Sequence, residues 1–460
     1  MPVDMLEIAK TGLMAYQGAL ATTGHNVSNV NTPGYTRQRA ELVTPTPQAT
    51  GSGFFGRGVD VATVSRSYDD FLTRQMRTTT SGSTYWQNYT RYADQIDGVL
   101  ANPASGLMPM MDRFFGSLHD WSADPANMGL RETVLAGAGD LTQRFHDLDH
   151  YLNGVETNAH RDVEMETQEI NRLLGEIADL NKTIETETAK AGQPPNDLLD
   201  RRDERLRELS QHVEIQTTRD RKGNINVFLT AKGQALVVGN AHATLSAERK
   251  EHGIEVHWHF GKDESDITNF IHGGSLGGIL GFLDEVLAPT QKDLNKMAVR
   301  LARRINRAER GSVDLENDRA KRVFDVGNRK NAAGTIEVNI EKPEDLGASE
   351  HRFRPGDNRA VSDMAKVEKK KIMPNRQTLS QFYQARVAAV GESTRGAKTE
   401  GDAQGALLQQ VSSSRSAVSG VNLDEEGANL VRFTQAYQAV TQIVSTADTT
   451  FQELLNAVRR

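Results

Sequence analysis

Cysteine is absent from this chain of 460 residues, and long apolar runs are absent as well. Without cysteine there is no disulfide framework, no thiolate metal site and no cysteine nucleophile. No stretch approaches the roughly 18 consecutive apolar residues that a membrane-spanning helix needs. Asp4, Glu7 and Lys10 interrupt the N-terminal segment, so we do not expect a signal peptide there.

The chain has no excess of positive charge, and aromatic residues are few. Lysine and arginine number 54 against 61 aspartates and glutamates, which gives a net charge of −7. A mildly acidic chain is not expected to bind nucleic acid through a basic surface. Only 37% of the residues are apolar and 6% are aromatic. The cores are therefore expected to be thin, as in elongated or multi-domain proteins.

Both ends of the chain carry long apolar stripes. Their spacing alternates between three and four residues, which places the side chains on one narrow helix face, the seam of a coiled coil. The N-terminal stripe includes Leu6, Leu13, Leu20 and Val27, and the C-terminal stripe includes Leu430, Phe433, Tyr437, Val440, Val444, Phe451 and Leu454. We predict that the two terminal helices pair with each other as a coiled coil.

The remaining faces of these helices consist mainly of Thr, Gln, Asn, Ser and Ala. Glu and Lys usually flank the seam of an isolated coiled coil. Small polar flanks instead favour a wall of several chains, so the stripe residues are our candidates for an assembly interface. We expect both ends to be disordered in the free subunit, because their partners would exist only in the assembly. Alternatively, each stripe is only the buried face of a terminal helix in a globular domain.

The middle of the chain is predicted to be mainly α with a small β insert. Residues 32–67 read as a loop region with one strand, and helical periodicity then runs from Tyr68 to Val213. From there to residue 272, apolar and polar residues alternate with a period of two, which predicts strands. The helical pattern resumes after a glycine-rich stretch at 273–281. The mixed charges of residues 197–211 predict a solvated helix face.

Three domains follow from this order. The prediction is a terminal coiled-coil assembly domain (1–50 and 413–460), a central helical-bundle domain (51–212 and 273–412) and an outer β domain inserted in it (213–272).

No pattern in the chain favours catalysis or a bound cofactor. His257 and His259 lie on one strand face, where His242, His252 or Glu255 could complete a metal site, but a solvated strand face is the better interpretation. The stretch 273–281 lacks the Gly-Lys-Ser/Thr ending of a phosphate loop, so we interpret it as a helix start. We predict no catalytic residues, no cofactor and no metal.

Two signatures adjoin the terminal stripes. The first, NVSNVNTPGYTRQ, contains Asn26, Asn29, Asn31, Pro33, Gly34 and Tyr35, and the second, SGVNLDEE, contains Gly420, Asn422, Leu423, Asp424, Glu425 and Glu426. Proline ends the first helix and Gly34 supplies a turn. Gly420 permits a turn, Asp424 or Asn422 can cap the next helix, and Glu425 and Glu426 lie in its first turn.

These signatures resemble those of the bacterial flagellar axial proteins, the rod, hook and hook-associated subunits. Two internal stretches, NDLLDRRDERLRELSQHV and GGSLGGILGFLDEVLAPTQKDLNKMAVRL, are similar to the hook-associated subunits of the hook–filament junction. The chain departs from that pattern in two places. Its 311–375 region is short and charged, and Gly427 replaces a usual tyrosine.

The resemblance implies a structural, non-enzymatic protein. Such a protein leaves the cytoplasm through the flagellar type III apparatus and forms a ring outside the cell, at the distal end of the hook. Implied partners are further copies of the chain, hook subunits, a second junction protein, the filament cap and an export chaperone on the C-terminal helix. No nucleic acid or small-molecule substrate is implied. The alternatives are a hook or rod subunit, or an axial protein with cell-wall hydrolase activity.

Overall fold

Helices dominate the computed structural model, which describes residues 2–51, 53–102, 106–250 and 253–459. The α-helices are α1 (Pro2–Ser28), α2 (Asp70–Leu100), α3 (Met108–Ala123), α4 (Met128–Ala191), α5 (Asn196–His212), α6 (Gly274–Phe282), α7 (Ala288–Glu309), α8 (Arg359–Ala365), α9 (Leu379–Ser419) and α10 (Leu423–Val458). None of these described helices is long and apolar enough to cross a membrane.

Thirteen short strands among the described residues form small antiparallel sheets. They are β1 (Gln38–Val43), β2 (Gln48–Thr50), β3 (Gly53–Phe55), β4 (Asp60–Arg66), β5 (Ile215–Arg219), β6 (Ile225–Leu229), β7 (Ala235–Val238), β8 (Ala241–His242), β9 (Thr244–Lys250), β10 (Gly253–Phe260), β11 (Asp263–Asp266), β12 (Phe324–Val326) and β13 (Ile336–Val338). The sheet orders are β1-β4, β2-β3, β5-β6-β7-β8, β11-β10-β9 and β12-β13. A mainly α fold with a small β insert is thereby confirmed.

The long helix α4 organises the body of the molecule. Its 64 residues extend over about 96 Å at 1.5 Å per residue. The helix begins where the Asn127 side chain accepts a hydrogen bond from the Leu130 N–H, and it ends at Gly192, whose φ of +71° suits glycine. Its apolar stripe packs against α3, α5 and the β insert. This stripe and the facing helices form one continuous buried core.

The glycine-rich stretch does begin a helix, as predicted. Gly274 has φ +69°, and a Cβ added there would lie 2.2 Å from the backbone carbon of His212. A Cβ at Gly278 would lie 2.3 Å from the Tyr85 carbonyl oxygen. The glycines therefore let α6 pack closely against α2 and the end of α5. A π-helical turn at Leu283–Leu287 joins α6 to α7, just before Pro289, which has no N–H to donate.

The mixed 311–375 region folds back onto the helical body. Its helix α8 packs against α3 and α7, and strand β13 lies against α4. Phe324 and Ile336 from its two paired strands are fully buried. The region thereby extends the helical core.

Two long helix pairs complete the chain. Helix α9 packs along α2, and its first turn has a capping box between Thr378 and Gln381. It continues through Ser419, beyond the predicted domain limit at residue 413. Helices α1 and α10 pack antiparallel, with Gly12 opposite Val440 and Asn26 opposite Glu426. The other predicted domain limit, residue 50, falls between two paired strands, since β1 precedes it and β4 follows it.

The residues that α1 buries differ from the predicted seam. Its buried residues are mainly small ones, at positions Ala9, Gly12, Ala15, Ala19, Thr23 and Asn26. Leu6 is 49% exposed, and Leu13, Leu20 and Val27 are half-buried. A Cβ on Gly12 would lie only 3.3 Å from Val440, so the small residues permit a close approach of the two helices. The ends thus find partners within one chain, contrary to the expectation that partners exist only in the assembly.

The C-terminal stripe divides in a similar way. Leu430, Phe433, Val440 and Val444 are half-buried along α10. Tyr437, Phe451 and Leu454 are exposed, the last two by about half. The larger apolar side chains of the helix pair therefore point partly outward.

Candidate functional site: the corner network

The first signature forms a tight turn after α1. The Asn29 amide donates to the His25 carbonyl at 3.0 Å, and its side-chain oxygen accepts from the Thr32 hydroxyl at 3.1 Å. Gly34 has φ +79°, and a Cβ there would lie 2.9 Å from Cβ of Glu204 in α5. The glycine therefore permits both the turn and its contact with the helical body. Asn31 and Pro33 lie exposed at the outside of the turn.

Asn26 is the centre of a buried hydrogen-bond network that we call the corner network. The network comprises Asn26, Tyr35, Arg37, Gln38, Glu425 and Glu426. The Asn26 side chain is 1% exposed and donates to the Gln38 carbonyl at 2.8 Å and to the Glu426 carboxylate at 3.1 Å. Its oxygen accepts from the Tyr35 hydroxyl at 2.7 Å and from the Gln38 N–H at 2.9 Å. Four hydrogen bonds thus satisfy one buried amide.

Arg37 joins the network to the start of α10. Its guanidinium donates to Glu426 at 2.7 Å and to Glu425 at 2.5 Å, and its backbone N–H donates to the Ser419 carbonyl at 2.9 Å. Glu426 is 2% exposed, so its charge is paired inside the protein. A buried carboxylate needs such partners, because removing a charge from water is costly. The two signatures therefore meet in one structure.

The second signature makes the corner between α9 and α10. Asn422 is the N-cap, and its side chain accepts from the Asp424 N–H at 3.0 Å. A Cβ on Gly420 would lie 2.4 Å from the Ser416 carbonyl oxygen, so a side chain does not fit at this turn. Leu423 is 54% exposed, and Asp424 is exposed beside it. Of the two candidate caps, Asn422 fulfils the role.

Helix α5 ties this corner to the helical body. Asp200 accepts from the Thr36 N–H at 2.8 Å and from the Thr36 hydroxyl at 2.6 Å. Arg66 on β4 donates to Asp200 at 2.6 Å and to Asp203 at 3.0 Å. Burial raises the pKa of the Asp200 carboxyl, while its bonds with Thr36 and Arg66 oppose that shift. Burial, aided by Asp197, Asp200 and Glu426, also raises the pKa of the Tyr35 hydroxyl.

The predicted solvated face of α5 is therefore wrong. Asp200 is 4% exposed and Arg202 only 1%. The Arg202 guanidinium donates to the Asn181 side chain and to the Gly223 carbonyl, both at 3.0 Å. Spacing alone did not distinguish these buried charges from solvated ones. Their partners lie on distant segments of the chain, as does Arg66, which the sequence did not single out.

The histidine pair on β10 does not form a metal site with the described residues. The rings of His257 and His259 stack with their centroids 6.5 Å apart. His257 contacts Glu255 at 3.2 Å, and His259 contacts the Ser246 hydroxyl at 3.0 Å. Within the described residues no three groups converge as metal ligands. His252, another candidate ligand, lies outside these residues.

The sequence does contain one catalytic-type spacing, contrary to the expectation that it has none: Gly273, Ser275 and Gly277 in the α6 stretch have the G-x-S-x-G pattern of hydrolase nucleophiles. Ser275 is buried and donates to Glu166, and His212 contacts the same carboxylate at 2.6 Å. The carboxylate therefore lies between serine and histidine, whereas a catalytic triad needs the histidine in contact with the hydroxyl. The three side chains join α4, α5 and α6.

The comparisons with known proteins first identify the class of protein to which the chain belongs. Residues 6–36 match the model of the flagella basal body rod protein, and residues 413–457 match that of the flagellar basal body rod FlgEFG protein C-terminal. These two regions contain most of the terminal helix pair and four of the six residues of the corner network: Asn26, Tyr35, Glu425 and Glu426. The chain is therefore a structural protein of the flagellar axial class.

The middle of the chain then identifies the family. Residues 93–324, half of the chain, match the flagellar hook-associated protein FlgK helical domain. The chain belongs to the FlgK family of hook-associated proteins. Flagellar hook-associated protein 1 from Salmonella typhimurium is 26% identical over 98% of this chain and 99% of its own length. The Bacillus subtilis protein of that name is 26% identical over 98% of each chain.

A solved structure supports the fold. The flagellar hook junction protein FlgK from Burkholderia pseudomallei superposes with a TM-score of 0.69 at 16% sequence identity. The match covers 75% of this chain and 100% of that one.

Proposed function

We propose that this chain is the structural subunit that forms the hook–filament junction of a bacterial flagellum. It assembles as a ring at the distal end of the hook, outside the cell, after type III export. Membership of the FlgK family supports the structural role. The observation that carries the assembly mechanism is the terminal helix pair, which buries small residues inward and leaves larger apolar side chains outward.

Part of the outward apolar surface lies where α10 is longer than α1. Because Gly12 lies opposite Val440, residues from about 451 onward extend beyond the beginning of α1. Phe451, Leu454 and Leu455 are each about half exposed in this extension. A contiguous apolar surface of this kind marks a protein contact. Further copies of the chain are the occupant that a ring requires.

The predicted assembly residues keep their role in this proposal. Leu6 on α1, with Tyr437, Phe451 and Leu454 on α10, contacts neighbouring copies. Leu13, Leu20 and Val27 on α1 and Leu430, Phe433, Val440 and Val444 on α10 are half-buried in one chain and contribute their remaining surface. The proposed division remains an assembly domain (1–50 and 413–460), a central domain (51–212 and 273–412) and an outer β domain (213–272). Strands β1 and β4 connect the first two across residue 50, and α9 connects them across residue 413.

The corner network positions this assembly domain on the body. Its hydrogen bonds connect the end of α1 with the start of α10 through the buried Asn26 and Glu426. The neighbouring bonds of Thr36 and Arg66 to Asp200 attach the same corner to α5. Buried polar groups that are all hydrogen-bonded hold the parts they join in one arrangement. The signature residues therefore orient the helix pair.

Further partners follow from the same proposal. They are hook subunits, a second junction protein, the filament cap during assembly and, before export, a chaperone on the C-terminal helix. No nucleic acid, small-molecule substrate or enzymatic activity belongs to it. A hook or rod subunit is the alternative within the class, and the family match in the middle of the chain favours the junction role.

Substitution of Val444 by aspartate tests the proposal. A charge on this half-buried position of α10 opposes burial against any neighbouring helix. We expect Val444→Asp to abolish incorporation into isolated hooks, as judged by immunoblot, and to leave the melting temperature of the body unchanged. Met165→Asp, on an exposed part of α4, is the matched control and should incorporate normally. Functional flagella containing Val444→Asp would contradict the mechanism.

A further inference from the structure

A small hairpin presents two phenylalanine rings to solvent. We call strands β2 and β3 the aromatic hairpin. In it, Phe54 is 79% exposed and Phe55 is 54% exposed. Phe54 pairs with Ala49, and Phe55 pairs with Gln48. Successive residues of a strand point to opposite faces, so each face of the hairpin carries one ring.

The sequence around the aromatic hairpin contains no charge. From residue 42 to residue 56 there is no Asp, Glu, Lys or Arg, although a quarter of the whole chain is charged. Native proteins usually protect exposed strand edges with charged side chains. An isolated two-stranded hairpin is also only marginally stable in water. A hairpin with this composition therefore needs a partner surface, and its own chain leaves both rings exposed.

The position of the hairpin indicates what that partner is. The segment that follows it runs along α1: the Arg57 carbonyl lies 3.5 Å from the Thr11 hydroxyl, which also donates to the Ile8 carbonyl at 3.0 Å. Gly58 has φ +89°, and a Cβ there would lie 2.2 Å from the Thr11 hydroxyl oxygen. Ile8, one turn away on α1, is 38% exposed. The aromatic hairpin is thus attached to the terminal helix pair, on the part of α1 that carries the exposed Ile8.

We propose that the aromatic hairpin inserts between neighbouring copies of this chain, with one ring against each neighbour. The rings contact the outward apolar side chains of α10, such as Val431 and Ile443, which are exposed in the single chain. Aromatic anchors of this kind dominate the energy of many interfaces. Two faces with one ring each suit a tube, where every subunit has copies on both sides. The inference rests on the proposed ring assembly and adds a second contact to it.

Photo-cross-linking in assembled flagella tests which partner the hairpin contacts. Phe54→p-benzoylphenylalanine or Phe55→p-benzoylphenylalanine is introduced in motile cells, and the products are analysed by mass spectrometry after irradiation. The expected product joins two copies of the chain, and its second peptide comes from residues 423–458 of the neighbouring copy. The same photo-reactive residue at Met165 is the control, since Met165 is 52% exposed on α4. Products with other flagellar subunits alone, or no product, would overturn the inference.

Serine substitutions separate this contact from the ring assembly itself. Because both rings are exposed, the double variant Phe54→Ser, Phe55→Ser should melt at the wild-type temperature. It should reduce the number of incorporated copies at least tenfold, while Met165→Ser has no effect. If the double variant assembles normally and Val444→Asp does not, the hairpin inference fails and the proposed function stands. If both assemble normally, both fail.

Discussion

Replacing Asn26 by aspartate tests the corner network with an almost isosteric change. The amide group that is lost donates to the Gln38 carbonyl at 2.8 Å and to Glu426 at 3.1 Å. The new carboxylate would instead place a second negative charge beside the buried Glu426. Two charges about 4 Å apart repel by about 4 kcal/mol at an effective dielectric constant near 20. Arg37, already bound to Glu426, offsets part of this, while the unpaired Gln38 carbonyl adds about 1 to 3 kcal/mol.

We therefore expect Asn26→Asp to weaken the attachment of α1 and α10 by about 4 kcal/mol at pH 7. Amide exchange in the first turns of α10 should accelerate roughly a thousandfold, since 1.4 kcal/mol corresponds to a factor of ten. The pKa of the introduced carboxyl is raised in the folded state. The loss should therefore shrink as the pH falls, because the protonated group can again donate to Glu426.

Asn29→Asp is the matched control in the same signature. Its amide donates only within the local turn, to His25, and the side chain is partly exposed. The expected cost is below about 1 kcal/mol, mainly from a negative charge near a helix C-terminus. If the amides of α10 exchange equally slowly in wild type and in Asn26→Asp, the idea that this network holds the helix pair is refuted. Equal losses in both aspartate variants would refute it as well.

Two further predictions concern the helical body. Burial raises the pKa of Glu309 from 4.5 to about 8. Between these two pH values the Glu309 carboxyl is ionised only in the unfolded chain, so the free energy of unfolding falls as the pH rises. In urea titrations, Glu309→Gln should raise the free energy of unfolding by about 3 kcal/mol at pH 7, since each pH unit corresponds to about 1.4 kcal/mol. Near pH 4 the substitution should give no gain, and a gain that is independent of pH would contradict this. Gly278→Ala should destabilise by about 3 kcal/mol, because its Cβ meets the Tyr85 carbonyl oxygen. Gly116→Ala, in open space on α3, should stabilise slightly, and equal melting temperatures for the two variants would disprove the packing argument.

Helix identity and the β insert could be predicted from the sequence because local physics specifies them. Alternation at Ile225–Leu229 and heptad-like spacing along α4 report which side chains can share a face. The α6 start and the Asn422 cap follow from glycine and asparagine chemistry at those positions. The two signatures also indicated the chain's class, because they resemble those of the flagellar axial proteins; that they meet in one corner became visible only in the structure.

Partners across the chain could not be predicted in this way. Asp200 and Arg202 have the composition of a solvated helix, yet they are buried and hydrogen-bond to Thr36, Arg66 and Asn181 on other segments of the chain. Strand β1 also escaped prediction, because its partner β4 lies beyond two turns and a second hairpin. Burial of a charge depends on what reaches it in three dimensions, and sequence spacing contains no such information.

In the terminal helices, the sequence pattern specified one feature and the folded chain another. The spacing of apolar residues was enough to predict long helices with a continuous stripe at both ends. The side of α1 that faces α10 could be seen only in the folded chain, and it is the side with Gly12, Ala15 and Ala19. Close backbone approach favours small residues there. The larger residues, led by Leu6, remain partly in solvent, where another molecule can cover them.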